Sequence, residues 1–149
     1  MYMKKQILMV LIFIASTTGL MAQKAEVFSS SGKAIKGYDP VSYFKEGKPV
    51  VGNEQLSYNW NNAKWCFTSK ENLDAFAKSP EKYAPQYGGY CAYGMSEGHK
   101  APTDPNAWTI VNDKLYLNYS LDVKKMWNKN QTERIGQADK NWPQLKDKE

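Results

Sequence analysis

The chain has 149 residues, 20 of them Lys or Arg and 15 Asp or Glu, so its formal net charge is +5 at pH 7. The basic residues are scattered among acidic ones and form no block, which argues against a nucleic-acid-binding protein. The length suits one domain with one hydrophobic core. Most of the five Trp and ten Tyr side chains are expected to fill that core or to line a pocket.

Residues 1–22 have the pattern of a signal peptide. Lys4 and Lys5 precede an apolar run over residues 7–15, and the small residue Ala22 stands before Gln23. A membrane anchor is the alternative interpretation, but the run is shorter than the ~20 residues that a spanning helix needs. We therefore predict cleavage near Ala22 or Gln23, a periplasmic or secreted protein, and no stable membrane anchor after cleavage.

The first half of the remaining chain predicts a hairpin followed by a helix. Residues 23–36 are small and polar and are predicted to be an extended lead-in. Apolar and polar residues alternate over 56–60, and residues 64–68 are predicted to run back as a second strand after the Asn61-Asn62 turn, which is typical of a β-hairpin. Ser69 is a typical N-cap for the helix that follows.

The second half repeats this order. Residues 108–111 and 115–119 predict a second hairpin around Asn112-Asp113. Ser120 is predicted to cap a helix, and the side chains predicted to face the core from it are those of Val123, Met126 and Trp127. Thr132 is predicted to cap a last short helix. The ordered domain is predicted to span residues 37–143, with a flexible tail over 144–149. The predicted fold class is α+β, with one small antiparallel sheet from two hairpins packed against several short helices.

Several motifs of this chain resemble those of the YHS domain family. They are Asp39-Pro40-Val41, Lys64-Trp65-Cys66-Phe67, Phe76 and Pro80-Glu81-Lys82-Tyr83. The stretch from Gly37 through Gly88-Gly89-Tyr90-Cys91-Ala92 to Trp142-Pro143 is similar to an exported YHS subfamily that includes cysteine and selenocysteine proteins. The resemblance implies a YHS-like domain over residues 37–143.

The same resemblance implies that the usual metal site of the family is not carried over. Metal-associated YHS domains have cysteines at positions that hold Ser42, Thr68 and Asn72 here. Hydroxyl and amide groups are poor substitutes for thiolates around Cu(I) or Zn²⁺. Of the two cysteines, Cys91 lies in a motif of the exported subfamily.

Cys91 is the main candidate for chemistry. It follows two glycines and is predicted to open a short helix, whose free N–H groups would lower the pKa of its thiol. The alternative is a small buried side chain without reactivity. Either interpretation is compatible with the sequence.

Two further arrangements around Cys91 follow from spacing and composition. Cys91, Met95 and His99 stand at i, i+4 and i+8 and would share one face of a continuous helix, where they would suit a copper(I) ion. Gly94 and Gly98 weaken such a helix, and Met is more often a core residue.

The second arrangement is a disulfide between Cys66 and Cys91, which an oxidising compartment would permit. The sequence does not fix the distance between the two residues. Four tyrosines are candidates for a pocket around Cys91, or alternatively for the core, namely Tyr38, Tyr87, Tyr90 and Tyr93.

The sequence thus predicts a non-catalytic exported protein that binds a soft metal ion or takes part in thiol redox chemistry through Cys91. A thiol-dependent redox enzyme is one alternative. A binding module that uses an aromatic pocket, with both cysteines inert, is another. A metal ion or a small molecule is the expected partner, and copper is the candidate cofactor.

Overall fold

The computed structural model describes residues 25–148 and has the predicted α+β architecture. Residues 1–22 and the predicted cleavage site lie outside the described range. The strands are β1 Ser29–Ser30, β2 Lys33–Ala34, β3 Asn53–Trp60, β4 Ala63–Phe67, β5 Asp104–Val111 and β6 Lys114–Asn118. The α-helices are α1 Pro40–Lys45, α2 Lys70–Lys78, α3 Pro80–Tyr83, α4 Ala92–Ser96, α5 Leu121–Lys129 and α6 Gln131–Leu145. Within the described range, every helix is too short or too polar to span a bilayer.

The two predicted hairpins are present, but they belong to separate sheets. Strands β3 and β4 are part of a four-stranded sheet in the order β1-β2-β4-β3, in which β2 runs parallel to β4. Strands β5 and β6 pair only with each other among the described strands. The alternation of apolar residues fixes the pairing within a hairpin but carries no information on the pairing between hairpins. The expectation of a single sheet was wrong for that reason.

Both hairpin turns have the backbone that their sequences predict. Asn61 and Asn62 have φ values of 49° and 59°, and Asn112 and Asp113 have φ values of 50° and 61°. Positive φ at both central residues is the conformation that matches the twist of the flanking strands. Asn and Asp adopt it at low cost, so these turns fix the register of the two hairpins.

The predicted lead-in is integrated into the fold. Strands β1 and β2 form a tight antiparallel hairpin, and β2 then pairs with β4. Val27, Ala34 and Ile35 are buried in the main core. Because the segment is mostly polar, its sequence did not predict that its few apolar side chains would be buried. The burial of these side chains holds the segment against the sheet.

Helix α5 begins where the sequence predicts. The Ser120 hydroxyl accepts a hydrogen bond from the Val123 N–H at 3.1 Å, and Trp127 is fully buried. Met126, however, is 45 % exposed, so the expectation that it faces the core was wrong. Met126 immediately precedes Trp127, and adjacent side chains on a helix point about 100° apart. Because Trp127 points into the core, Met126 points toward solvent.

The last helix is longer than predicted. Helix α6 extends through Pro143 to Leu145, and its N-cap position is Asn130 rather than Thr132. Leu145 packs against the core, so the predicted flexible tail begins inside a packed helix. Proline in a helix loses one hydrogen bond and its ring crowds the carbonyl four residues back, so the last turn after Pro143 depends on packing, which Leu145 provides.

The buried side chains form two clusters. The larger lies between β4, β6 and α2 and contains aromatic rings of both hairpin and helix, among them Trp65, Phe67 and Phe76. The smaller is assembled from the C-terminal half and consists of Tyr87, Ala92, Met95, Tyr116, Trp127 and Ala138. Strand β6 contributes alternate residues to the two clusters and therefore joins them.

A fully buried carboxylate links the first helix to the main sheet. Asp39 is the N-cap of α1, and its Oδ1 accepts from the N–H groups of Val41 at 2.8 Å and Ser42 at 3.3 Å. Its Oδ2 accepts from the Thr68 N–H at 2.8 Å, the Thr68 hydroxyl at 3.0 Å and the Asn72 amide at 2.8 Å. One side chain therefore holds α1, the end of β4 and the start of α2 together.

We predict that Asp39→Asn is strongly destabilising. The NH₂ group of an asparagine at this position would face N–H and O–H donors that now bond a carboxylate oxygen. The variant should therefore lose about 3 kcal/mol of unfolding free energy. Urea unfolding followed by circular dichroism measures the loss. The control is Asp113→Asn, since Asn61-Asn62 shows that the same turn accepts asparagine, and its change should stay within about 0.5 kcal/mol. Equal stability of the two variants would contradict a structural role for Asp39.

Candidate functional site

A sharp turn over Gln86–Gly89 positions the residues that the sequence singled out. Tyr87, Gly88 and Gly89 have φ values of 58°, 62° and 83°. A Cβ atom on Gly88 would collide with the carbonyl oxygen of Glu26, so only glycine fits there. The Gly88 carbonyl also accepts a hydrogen bond from the Phe28 N–H at 2.8 Å. The turn places Tyr87 in the smaller cluster, and the chain continues from the turn to Cys91.

Cys91 is the N-cap residue of α4, as its predicted place at a helix start implies. Its Sγ accepts hydrogen bonds from the N–H of Tyr119 at 3.2 Å and from the N–H of Gly94 at 3.5 Å. The thiol donates to the side-chain oxygen of Asn118 at 3.5 Å, and that oxygen also accepts from the Tyr93 N–H at 3.0 Å. Cys91 is 2 % exposed, and its sulfur has hydrogen-bond partners as donor and as acceptor.

Burial dominates the ionisation of Cys91. It raises the pKa of the thiol above its ordinary value, and the N–H groups of Gly94, Tyr119 and Tyr93 lower it by less. The sequence-based expectation of a lowered pKa was wrong in its net direction. The N–H donors are present, but the sulfur lies beneath the surface, where desolvation of the thiolate outweighs them.

The two cysteines do not form a disulfide in this structure. Both are free and buried, and they lie in different parts of the fold. Cys66 belongs to the interior of β4, while Cys91 lies between α4 and the end of β6. Burial also raises the pKa of the Cys66 thiol, and the nearby Lys64 and Lys33 oppose that rise.

The proposed ligand set of Cys91, Met95 and His99 does not share one helical face. Helix α4 ends at Ser96, and the Gly98 N–H donates to the Met95 carbonyl while the His99 N–H donates to the Gly94 carbonyl. This is a Schellman motif with Gly98 in the left-handed conformation, and it turns the chain away from the helix axis.

The two side chains beyond Cys91 consequently have different surroundings. Met95 is fully buried in the smaller cluster, whereas His99 is exposed and its imidazole lies next to Gly94, on the helix that precedes it. In residues 25–148, no group of three or more His, Cys, Asp or Glu side chains is placed to hold a metal ion. Copper binding by Cys91, Met95 and His99 stays a prediction.

The four candidate pocket tyrosines lie in different surroundings. Tyr38 packs against the main cluster, while Tyr87 belongs to the smaller one and donates its hydroxyl to Asp139 at 2.8 Å. Tyr90 donates to the Ala25 carbonyl at 2.7 Å. Tyr93 lies under the guanidinium of Arg134, whose Cζ is 3.8 Å from the ring centroid. They do not line a common pocket around Cys91.

Ser42, Thr68 and Asn72, which the sequence resemblance matches to ligand cysteines, meet in space around Asp39. Thr68 and Asn72 both donate hydrogen bonds to its carboxylate, and Ser42 donates its backbone N–H. Donor hydrogens therefore point at the place where thiolates would hold a soft metal, and the Ser42 hydroxyl is buried without a partner among the described residues. Hydrogen-bond donors that point at a carboxylate do not fit a soft-metal site.

Sequence reasoning missed a cleft on the other side of the Gln86–Gly89 turn. We call it the aromatic cleft; its volume is about 210 Å³. Its lining residues are Glu26, Val27, Trp60, Asn61, Trp65, Glu81, Ala84, Pro85, Gln86, Tyr87, Gly88 and Trp142. They come from four distant parts of the chain, so the high aromatic content was the one signal available in the sequence. Four of its lining residues are aromatic, namely Trp60, Trp65, Tyr87 and Trp142.

Two other clefts are lined by different residues. One is polar, about 360 Å³, and lies beside Ser96 and Arg134. Arg134 there donates to the Ser96 hydroxyl at 2.9 Å and forms an ion pair with Glu97 at 2.6 Å. The other is about 200 Å³ and lies between Tyr90 and Lys100. Each of these two clefts has a cationic side chain in its lining, whereas the aromatic cleft has none.

We predict that both thiols react only when the protein opens. In denaturant without reductant, iodoacetamide should modify Cys66 and Cys91. In the native state at pH 8, each thiol should react at least roughly a hundredfold more slowly than in denaturant, because alkylation requires local unfolding. Site-resolved mass spectrometry measures both rates. Rapid native alkylation of Cys91 would contradict the burial described above, and two unreactive thiols in denaturant would indicate the disulfide.

We also predict a loss of stability at alkaline pH that depends on Cys91. A thiol whose folded pKa is raised stabilises the fold below its unfolded pKa of about 8.5 and loses that contribution as the pH rises toward the folded pKa. Between pH 8 and 10, the unfolding free energy should therefore fall more steeply for the wild type than for Cys91→Ala, by at most about 1.4 kcal/mol per pH unit. Tyr43 and Tyr87, whose pKa values burial also raises, are present in both proteins. Parallel pH profiles from urea unfolding would refute the assignment to Cys91.

Comparison with protein-family models, with curated proteins and with solved structures gives no significant match to this chain.

Proposed function

We propose that this chain is a non-catalytic binding protein whose ligand occupies the aromatic cleft. The observation that carries the proposal is the cleft itself, in which the half-buried Trp60 and Trp142 border open space backed by the buried rings of Trp65 and Tyr87. Binding sites for small molecules are concave, largely aromatic and preformed, with a few polar groups that set orientation. Glu26 and Glu81 are the charged groups of this lining.

The rings behind the cleft are held rigidly. Trp65 and Phe76 lie with their centroids 4.9 Å apart, and Trp60 and Trp65 are 5.8 Å apart. The Trp65 indole N–H donates to the Trp60 carbonyl at 3.0 Å, which fixes one indole relative to the strand that carries the other. On the opposite side, Tyr87 and Trp142 are in edge contact at 6.2 Å. A site that is ordered before binding loses less entropy when a ligand enters.

Cys91 has a structural role in this proposal. Its sulfur satisfies the Tyr119 and Gly94 N–H groups, and its thiol hydrogen is directed at Asn118. It thus caps α4 and attaches it to the end of β6. This corresponds to the binding module with inert cysteines that the sequence offered as an alternative.

A thiol redox function through Cys91 is the second candidate, and one observation favours it. The backbone N–H groups of Tyr119 and Gly94 converge on Sγ, and such donors stabilise a thiolate once it forms. This function would require the sulfur to become exposed by local opening. The alkylation experiment above separates the two candidates, since a redox cysteine should react faster than Cys66 in the native protein.

Export, membership of the YHS family and copper binding also remain proposals. A copper(I) titration of the reduced protein tests the last of these. A one-to-one complex that Cys91→Ser abolishes would support metal binding, and equal titration curves for both proteins would remove it.

The binding proposal predicts ligand-dependent NMR shifts at the aromatic cleft. Small cationic, anionic and neutral compounds, screened one at a time, should include some that shift the indole N–H signals of Trp60 and Trp142. Trp108, which packs against Tyr43 at 5.5 Å outside this lining, is the internal reference and should not move. Cys91→Ser should give the same shifts as the wild type. If no compound moves the cleft signals, or if the shifts require Cys91, the proposal fails.

A further inference from the structure

We infer that the aromatic cleft binds a quaternary ammonium group the size of the head group of choline. This inference rests on the proposed binding function and specifies its ligand. It follows from three properties of the cleft, which are the charge of its lining, the chemistry of its rings and its volume.

The charge of the cleft is opposite to that of the protein. The sequence carries a formal net charge of +5, yet the lining contains Glu26 and Glu81 and neither Lys nor Arg. One cation lies close to the lining, since the Lys100 ammonium is 5.9 Å from the ring centroid of Trp142. The linings of the other two clefts contain Arg134 or Lys100. A concave surface with charges of one sign concentrates its field, so the aromatic cleft attracts cations even though the protein as a whole does not.

The aromatic rings favour a weakly hydrated cation. The faces of indole rings carry negative charge density, and Trp is the strongest partner in cation–π contacts. A primary ammonium holds its water strongly, so its transfer to a partly apolar cleft is costly. A methylated ammonium has lost those hydrogen bonds to water already and presents apolar methyl groups to Trp60 and Trp142.

The volume limits the ligand to a small group. At about 210 Å³ the cleft is smaller than the ~300–1,000 Å³ typical of sites that enclose a drug-sized molecule. Its wall cannot yield at Gly88, because that residue is in contact with the backbone of the N-terminal segment. The cleft therefore suits a head group with the remainder of the molecule directed to solvent.

The first test compares ligands of equal shape and different charge. Isothermal titration of the protein at low ionic strength should show that choline binds about tenfold more tightly than 3,3-dimethyl-1-butanol, its neutral carbon isostere. Glycine betaine should bind more weakly than choline, because its carboxylate would approach Glu26 and Glu81. Added salt should weaken choline binding and leave the neutral compound unaffected.

The second test uses variants of the residues that line the cleft. Glu26 and Glu81 are exposed, so Glu26→Gln/Glu81→Gln should fold normally and bind choline about threefold to tenfold more weakly. Trp142→Ala should reduce binding about tenfold or more. The matched control is Glu133→Gln, an exposed carboxylate in the polar cleft, which should bind choline as the wild type does.

The outcomes separate this inference from the proposed function. The ammonium assignment would be overturned if choline and its neutral isostere bind equally, or if the double glutamine variant binds choline with unchanged affinity. The cleft would remain a binding site in both cases. Failure of every compound to shift Trp60 and Trp142 would overturn both. Sedimentation with phosphatidylcholine vesicles distinguishes the source of the head group. Protein that sediments with the vesicles and is released by free choline recognises a lipid. Protein that stays in solution recognises a free molecule.

Discussion

The fold depends on the carboxylate of Asp39, which is fully buried and has no cation among its hydrogen-bond partners. Removing a carboxylate from water is very unfavourable unless several donors replace the water. Here three backbone N–H groups, one hydroxyl and one amide do so. Because these donors belong to α1, the end of β4 and α2, the carboxylate is satisfied only when all three elements are in place.

The Gln86–Gly89 turn determines where the two candidate sites lie. Left-handed backbone at Tyr87 is unfavourable for a residue with a side chain, and it persists because the surroundings hold it. The bond from Phe28 to the Gly88 carbonyl and that from Tyr87 to Asp139 hold the turn on both sides. The same turn gives Tyr87 to the aromatic cleft and leads the chain inward to Cys91, so the two sites are neighbours with different access to solvent.

The chemistry of Cys91 is decided by a balance of two effects. Backbone N–H groups lower the pKa of a thiol, and burial raises it by more in this protein. The same N–H groups are satisfied by the neutral sulfur, which caps a helix of only five residues. Cys91 could react only after local unfolding exposes its sulfur. The aromatic cleft is open to solvent and has two carboxylates in its lining, so a ligand can reach it in the folded protein. This difference in access is the physical reason for placing the function in the cleft.

The sequence by itself determined the local structure. The two hairpin turns, the caps at Ser69 and Ser120, the placement of Cys91 at a helix start and the α+β class all depend on neighbouring residues, whose preferences are visible in the chain. Tertiary structure alone decided that the hairpins lie in separate sheets, that Val27 and Leu145 are packed, and that Cys91 is sealed. It also assembled Glu26, Trp60, Glu81 and Trp142 into one cleft. Burial and long-range proximity are properties of the whole folded chain, and spacing along the sequence does not encode them.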